Sequence, residues 1–184
     1  MSKSELQLTA QRLRATALQT RTLDDIADYI TKYTFLNNVR YSYKDHEFQE
    51  TIARDTSRIV NIQKCSQIGL SELLARYTAA FAMLFDGSSI ITTFPTTGDA
   101  ESFGQTRFDP MIQNSPELAK LMSKDVWSTA KKRLGNSLIY YRGTLSETAA
   151  LSIPADGIIS DEIDRSNPEI LKQYASRLTH SQWR

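Results

Sequence analysis

Short apolar segments rich in β-branched residues alternate with longer segments of helical periodicity, and this alternation constrains the fold more than any other feature of the chain. Parallel strands need long crossover connections, which helices usually provide. The sequence therefore predicts an α/β fold with a mainly parallel central sheet and helices on both faces. The predicted strands are SRIVNIQ (57–63), SSIITTF (88–94), SLIYYRG (137–143) and the start of GIISDEID (157–164).

The composition excludes several classes of protein. The 184 residues are 40% hydrophobic, which allows one sizeable core, and no apolar run approaches the roughly 20 residues of a membrane helix. One cysteine cannot form an internal disulfide, and with two histidines it falls short of a zinc ligand set. A net charge of +1 gives no global field for nucleic acid, so any DNA contact must be local. We expect a soluble, intracellular protein of one domain.

A glycine loop joins the first predicted strand to a helix. The phosphate-binding pattern G-x-x-x-x-G-K-[ST] overlies KCSQIGLS (64–71), where Gly69 and Ser71 fit but Leu70 replaces the lysine and Lys64 replaces the first glycine. Such a loop presents backbone N–H groups and the positive end of a helix dipole to an anion. Lys64, at the opposite end of the loop, could reach the same phosphate oxygens. By itself the segment favours an ordinary strand-to-helix turn over a phosphate-binding loop.

An acidic pair follows the last predicted strand. In GIISDEID the apolar residues end in Asp161 and Glu162, the pattern of a Walker B strand whose aspartate holds Mg²⁺ and whose glutamate activates water. The alternative is a solvated acidic turn or the N-terminus of a helix, which the nearby Asp164 favours. Parallel strands would place the pair at the same sheet edge as the glycine loop. Their order along the chain is that of an additional-strand ATPase.

Two further features have functional and structural interpretations. Phe48 and Gln49 precede the first strand, where several DNA-dependent ATPases read adenine; the alternative is a helix with one buried aromatic residue. KKRLGNSLIYYRG (131–143) clusters basic residues and tyrosines that could contact a DNA backbone, or it is a solvated hairpin across Gly135 and Asn136.

Three blocks together resemble a known family: KCSQIGLSEL (64–73), TTFPTTGDAESFGQTRFDPMIQNSPEL (92–118) and GTLSETAALSIPADGIISDEIDR (143–165). The chain resembles the N-terminal part of a phage terminase large subunit, in its lambda-like (GpA) branch, over about residues 48–165. The middle block, which generic P-loop proteins lack, is the most specific. Some members of the family carry the loop lysine at the start of Walker A, where Lys64 stands.

The resemblance implies a three-layer P-loop NTPase fold of the additional-strand, RecA-like type. Residues 1–40 would form a helical N-terminal segment and residues 41–184 the ATPase domain. Because the coupling motif and the nuclease do not follow, we expect a truncated chain, a sheet incomplete at its C-terminal side and weak or absent hydrolysis by the fragment alone.

The resemblance also assigns residues. Mg²⁺ would be held by Ser71 and Asp161, Glu162 and Lys64 would act in catalysis, and Phe48 and Gln49 would contact the base. Arg107 and Arg165 are candidate arginine fingers, although each is also compatible with a surface or packing role. ATP would contact the loop residues Lys64, Cys65, Ser66, Gln67, Ile68, Gly69, Leu70 and Ser71.

The implied function is ATP hydrolysis that drives double-stranded DNA into a procapsid in the host bacterial cytoplasm. The implied partners are the terminase small subunit, docking on the N-terminal segment, the portal or procapsid, and further copies in a homo-oligomeric ring, with no membrane. Two alternatives remain open: a helicase-like DNA translocase, and a catalytically inactive remnant or docking module.

Overall fold

The computed structural model describes residues 22–145 and 153–180, apart from the side chains of residues 179 and 180. The α-helices are α1 Asp25–Tyr33, α2 Glu47–Ala53, α3 Leu70–Leu84, α4 Thr97–Phe103, α5 Asp109–Gln113, α6 Pro116–Ala119 and α7 Pro168–Ala175. The strands are β1 Phe35–Leu36, β2 Val39–Arg40, β3 Ser89–Phe94, β4 Met122–Trp127, β5 Lys131–Leu134, β6 Ser137–Gly143 and β7 Gly157–Ser160.

Five strands form the central sheet in the order β4-β5-β6-β3-β7. β3 pairs in parallel with both β6 and β7, whereas β5 runs antiparallel to β4 and β6. Four of the five strands consequently point in the same direction, which confirms the predicted mostly parallel sheet. The predicted hairpin across Gly135 and Asn136 joins β5 to β6.

Helices pack on both faces of the sheet. Neighbouring residues of β3 contact the helical layers on opposite faces of the sheet. Ile90 belongs to the large core with α3, and Ile91 belongs to a smaller cluster with Ile170 and Tyr174 of α7. The alternating side-chain directions of a strand produce this division. Among the described helices, none is long and apolar enough to cross a membrane.

The central helix α3 is buried on almost every side, as its apolar sequence predicts. Several of its buried residues are alanines, which lose no side-chain entropy and let neighbouring elements approach closely. The chain leaves the helix through Gly87, whose φ of 81° is a conformation that side chains with a Cβ rarely adopt. Helix α3 therefore serves as the core element against which the other helices of its layer pack.

The predicted strand over residues 57–63 is wrong. The segment is irregular and exposed, with Ile59 at 74% and Ile62 at 41% of their full exposure. A strand requires a neighbouring strand for its backbone hydrogen bonds. Among the described strands β7 lies at the edge of the sheet and pairs only with β3, so residues 57–63 join no ladder.

Part of the predicted N-terminal segment, residues 1–21, lies outside the described residues. Residues 22–40 contain α1 and a short antiparallel pair, β1 and β2. Ile26, Ala27 and Ile30 of α1 are fully buried in the large core with α3. Helix α1 and the sheet therefore share one core.

We call residues 107–112, within the middle block of the family resemblance, the RFDPMI block. It spans the end of the π-helix Gly104–Phe108, which follows α4, and most of α5. Asp109 accepts hydrogen bonds from Trp127 Nε1 at 3.1 Å and pairs with Lys132 Nζ at 2.9 Å. Lys132 is only 1% exposed and also donates to the carbonyl oxygen of Ser128. This buried ion pair fixes the β4–β5 hairpin to the RFDPMI block.

We predict that Lys132→Ala lowers the free energy of unfolding by about 3 kcal/mol, because it leaves the partly buried Asp109 carboxylate without its cation. Lys131→Ala is the matched control, since its side chain points to the opposite face of β5 and has no carboxylate partner among the described residues. The control is expected to change stability by no more than about 0.5 kcal/mol. Urea denaturation followed by circular dichroism measures both; equal losses would contradict the structural role of the ion pair.

Candidate functional site

The glycine loop leads directly into the first turn of α3. Gly69, with a φ of 75°, is the residue before the helix, and Gln67 also has a positive φ of 63°. The N–H groups of Leu70 and Ser71 lie at the start of the helix, where no intrahelical acceptor is available. Together with the dipole of a 15-residue helix, these groups make the end of the loop favourable for an anion.

Three of the predicted site residues meet at the end of β7. Lys64 Nζ lies 2.7 Å from Asp161 Oδ1, and the Ser71 hydroxyl donates to Asp161 Oδ2 at 3.2 Å. Asp161 follows the last residue of β7 and is 7% exposed. The start of the loop, the first turn of α3 and the end of a strand therefore converge on one carboxylate.

Leu70, which occupies the usual position of the loop lysine, is buried and packs in the large core. Its side chain thus cannot supply charge to an anion on the loop. Lys64 does place an ammonium group beside the start of α3, through its contact with Asp161. The exposed residues Cys65, Ser66 and Gln67 form the outer part of the loop.

The oxygen atoms of Ser71 and Asp161 fit Mg²⁺ by their chemistry. Mg²⁺ prefers oxygen ligands and is usually held by one or two carboxylates together with substrate phosphates and water. A hydroxyl and a carboxylate oxygen 3.2 Å apart supply such a partial ligand set. The described residues contain no group of three or more histidine, cysteine or acidic side chains that could hold a metal alone.

Glu162 stands next to the converging residues in an unusual conformation. Its φ of 53° and ψ of 47° are left-handed, and its N–H donates to Asp161 Oδ1 at 2.9 Å. Its carboxylate is paired with Arg165 at 2.7 Å, and both side chains are largely exposed. Non-glycine residues in this conformation cost energy and are concentrated at functional sites.

The two residues predicted to contact a base occupy different environments. Gln49 is buried; its Nε2 donates to the Ile68 carbonyl at 3.0 Å, and its Oε1 accepts a hydrogen bond from the Tyr41 hydroxyl. Phe48 is 42% exposed and lies beside His46. In this structure Gln49 holds the loop in place through Ile68.

A polar network that sequence reasoning missed supports the same region. Arg76 is fully buried, pairs with Glu72 at 2.6 Å, donates to the Phe35 carbonyl and stacks on Tyr41 with its guanidinium carbon 4.3 Å from the ring centroid. Glu72, one residue after Ser71, also pairs with Arg107 at 2.9 Å. Arg107 is therefore tied to the first turn of α3.

One signal for this network is visible in the sequence. Arg76 is the single charged residue in the otherwise apolar or neutral run from Leu73 to Leu84, and Glu72 lies four residues before it, on the same side of a helix. A buried arginine requires such a partner. Burial raises the pKa of the Tyr41 hydroxyl, and the positive charge of the nearby Arg76 partly offsets this increase.

Two hollows flank the glycine loop. One, of about 270 Å³, runs along the free edge of β7 and is lined mainly by apolar side chains, with Lys64 and Asp161 among its lining residues. The other, of about 310 Å³, lies on the Gln49 and Gly69 side and is lined by polar residues that include Arg40 and Glu72. The loop therefore has accessible space on both sides.

A mostly parallel five-stranded sheet with helices and this loop is compatible with a P-loop ATPase domain. The family model of the phage terminase large subunit gpA, ATPase domain, matches residues 40–179. The chain belongs to this family, as the sequence blocks predicted. Among curated proteins, none matches the chain.

We predict that Gly69→Ala destabilises the protein more than Gly87→Ala. Both changes place a Cβ on a residue with positive φ, at a cost of about 1–2 kcal/mol. Only at Gly69 would the added Cβ also lie 3.0 Å from Gln49 Nε2, whereas at Gly87 it meets nothing within 4 Å. Thermal unfolding of the two variants measures the difference, and an equal effect would show that the Gln49 contact does not constrain the loop.

Proposed function

We propose that the chain is the ATPase part of a terminase large subunit, which binds ATP with Mg²⁺ and hydrolyses it to move double-stranded DNA into a procapsid. The observation that carries this proposal is the convergence of Lys64, Ser71 and Asp161 within a chain of the terminase ATPase family. A nucleotide site on a P-loop fold draws its side chains from the glycine loop, from the first turn of the following helix and from the end of a neighbouring strand. Lys64, Ser71 and Asp161 lie at these three places.

Each residue has a proposed role that follows from its position. The backbone N–H groups of the loop and the start of α3 bind phosphate oxygens. Lys64 supplies the positive charge that Leu70 cannot supply, and Ser71 and Asp161 hold Mg²⁺, which neutralises charge on the phosphate oxygens when bound. Glu162 accepts the proton of the attacking water and orients it.

The candidate arginine fingers are both engaged by carboxylates. Arg165 pairs with Glu162, and Arg107 pairs with Glu72 beside Ser71. We propose that each can be released from its carboxylate to contact the transferring phosphate. Phe48 is proposed to contact the base and Gln49 to hold the loop beneath it.

The partners of the proposed motor are those of a terminase. We propose that it works as a ring of identical subunits in the host bacterial cytoplasm, with the small subunit docking on residues 1–40 and the portal of the procapsid receiving the DNA. The family match supports the terminase role, and the partners are inferred from it.

Lys64→Met is expected to weaken Mg·ATP binding at least about tenfold, because a charge-assisted contact to phosphate is lost. Isothermal titration calorimetry on the 184-residue chain measures this affinity. Lys120→Met is the matched control, since Lys120 is exposed and paired with Glu117 on α6. Unchanged binding by Lys64→Met, or no binding by the unmodified chain, would contradict the proposed site.

Glu162→Gln is expected to retain Mg·ATP affinity and to lower ATP turnover in the presence of DNA by about a hundredfold or more, since the base that accepts the proton of water is removed. Asp164→Asn, two residues away, is the control. Turnover by Glu162→Gln equal to that of the unmodified chain would contradict the proposed role of Glu162 as the base.

A further inference from the structure

The basic residues of strand β5 lie on both of its faces. Lys132 points into the core and pairs with Asp109, whereas Lys131 and Arg133 point to the other face. The pairing register places Lys131 opposite Tyr140 and Arg133 opposite Leu138 of β6. Arg142 lies two residues after Tyr140 on β6, and residues two apart on a strand point to the same face. Arg142 therefore lies on the same face as Lys131 and Arg133.

This second face concentrates positive charge. None of Lys131, Arg133 and Arg142 forms a salt bridge with a described carboxylate, although the whole chain carries a net charge of only +1. Arg133 is exposed, and Lys131 and Arg142 are partly exposed. The three cations define what we call the β5–β6 basic face.

Tyr140, the aromatic residue of this face, is already in contact with two of its cations. Lys131 Nζ and the Arg142 guanidinium carbon each lie 5.4 Å from the centroid of the Tyr140 ring. Tyr140 also packs against the smaller cluster with α7. A ring held in this way is not free to stack on an unpaired base, which single-strand binders require.

The spacing of the cations suits a phosphate backbone. Lys131 and Arg133 are two residues apart on one strand, about 7 Å, so their long side chains can contact the phosphates of one DNA strand together. Contacts of this kind bind DNA through its charge and carry no direct sequence information.

We propose that the β5–β6 basic face binds the phosphate backbone of double-stranded DNA without sequence preference. The proposal rests on the proposed function, because DNA is what the motor would move, and adds the surface that holds it. Arg142 is also structural, since its Nη1 donates to the carbonyls of Ala130 and Tyr141.

The test is the salt dependence of DNA binding by the full 184-residue chain, measured by fluorescence anisotropy with a random-sequence duplex. The double variant Lys131→Gln/Arg133→Gln is expected to bind at least about tenfold more weakly at low salt. It is also expected to reduce the slope of log K against log salt by about 1.8, since each lost phosphate contact removes about 0.9.

The control removes the same charge elsewhere. Lys32→Gln/Lys120→Gln changes two exposed lysines, one in α1 and one directly after α6, in the layer on the opposite side of the sheet, and is expected to leave both quantities unchanged. Equal losses in the two double variants, an unchanged slope in the first, or affinity that depends on the duplex sequence would each overturn the proposal.

The outcome is separable from that of the ATPase proposal. The Lys131→Gln/Arg133→Gln chain is expected to keep the Mg·ATP affinity of the unmodified chain. Mg·ATP binding without any DNA binding would overturn the basic face alone, whereas salt-dependent DNA binding without Mg·ATP binding would overturn the proposed ATPase and leave the basic face supported.

Discussion

The position of the glycine loop depends on the carboxylate of Asp161. The segment before the loop joins no strand ladder, so the sheet cannot hold it through backbone hydrogen bonds. Asp161 provides the connection by accepting contacts from Lys64 at the start of the loop and Ser71 at its end. Gln49 holds the loop from the other side through Ile68. The side chains of Asp161 and Gln49 thus hold the loop in position, as hydrogen bonds to a neighbouring strand would otherwise do. Both residues belong to the proposed site.

The fold places its basic residues either in the core beside a carboxylate or on an exposed face. Lys132 and Arg76 are buried, and each has a carboxylate within 3 Å, since an unpaired charge in the core would be costly. Lys131 and Arg133 lie on the other face of the same strand as Lys132 and need no such partner. The alternation of a strand therefore converts one run of basic residues into a structural contact and an exposed charged surface.

Much of the fold could be predicted because its patterns are local. The apolar sequence of α3 and the β-branched residues of β3 each favour one structure on their own. Residues 57–63 show the limit of this reasoning, since their β-branched residues indicate a strand but no described strand lies beside them. Strand formation depends on a partner elsewhere in the chain, which a local pattern cannot supply.

By itself the sequence determined the residue types of the candidate site and their order, and with them the family to which the chain belongs. It also placed Asp161 at the end of a strand and Ser71 in the first turn of a helix. Only the tertiary structure decided that Lys64 reaches Asp161, that Gln49 supports the loop, and that Glu72 connects Arg76 with Arg107. The physical reason is that these contacts join residues whose distance in space is set by how the helices pack on the sheet.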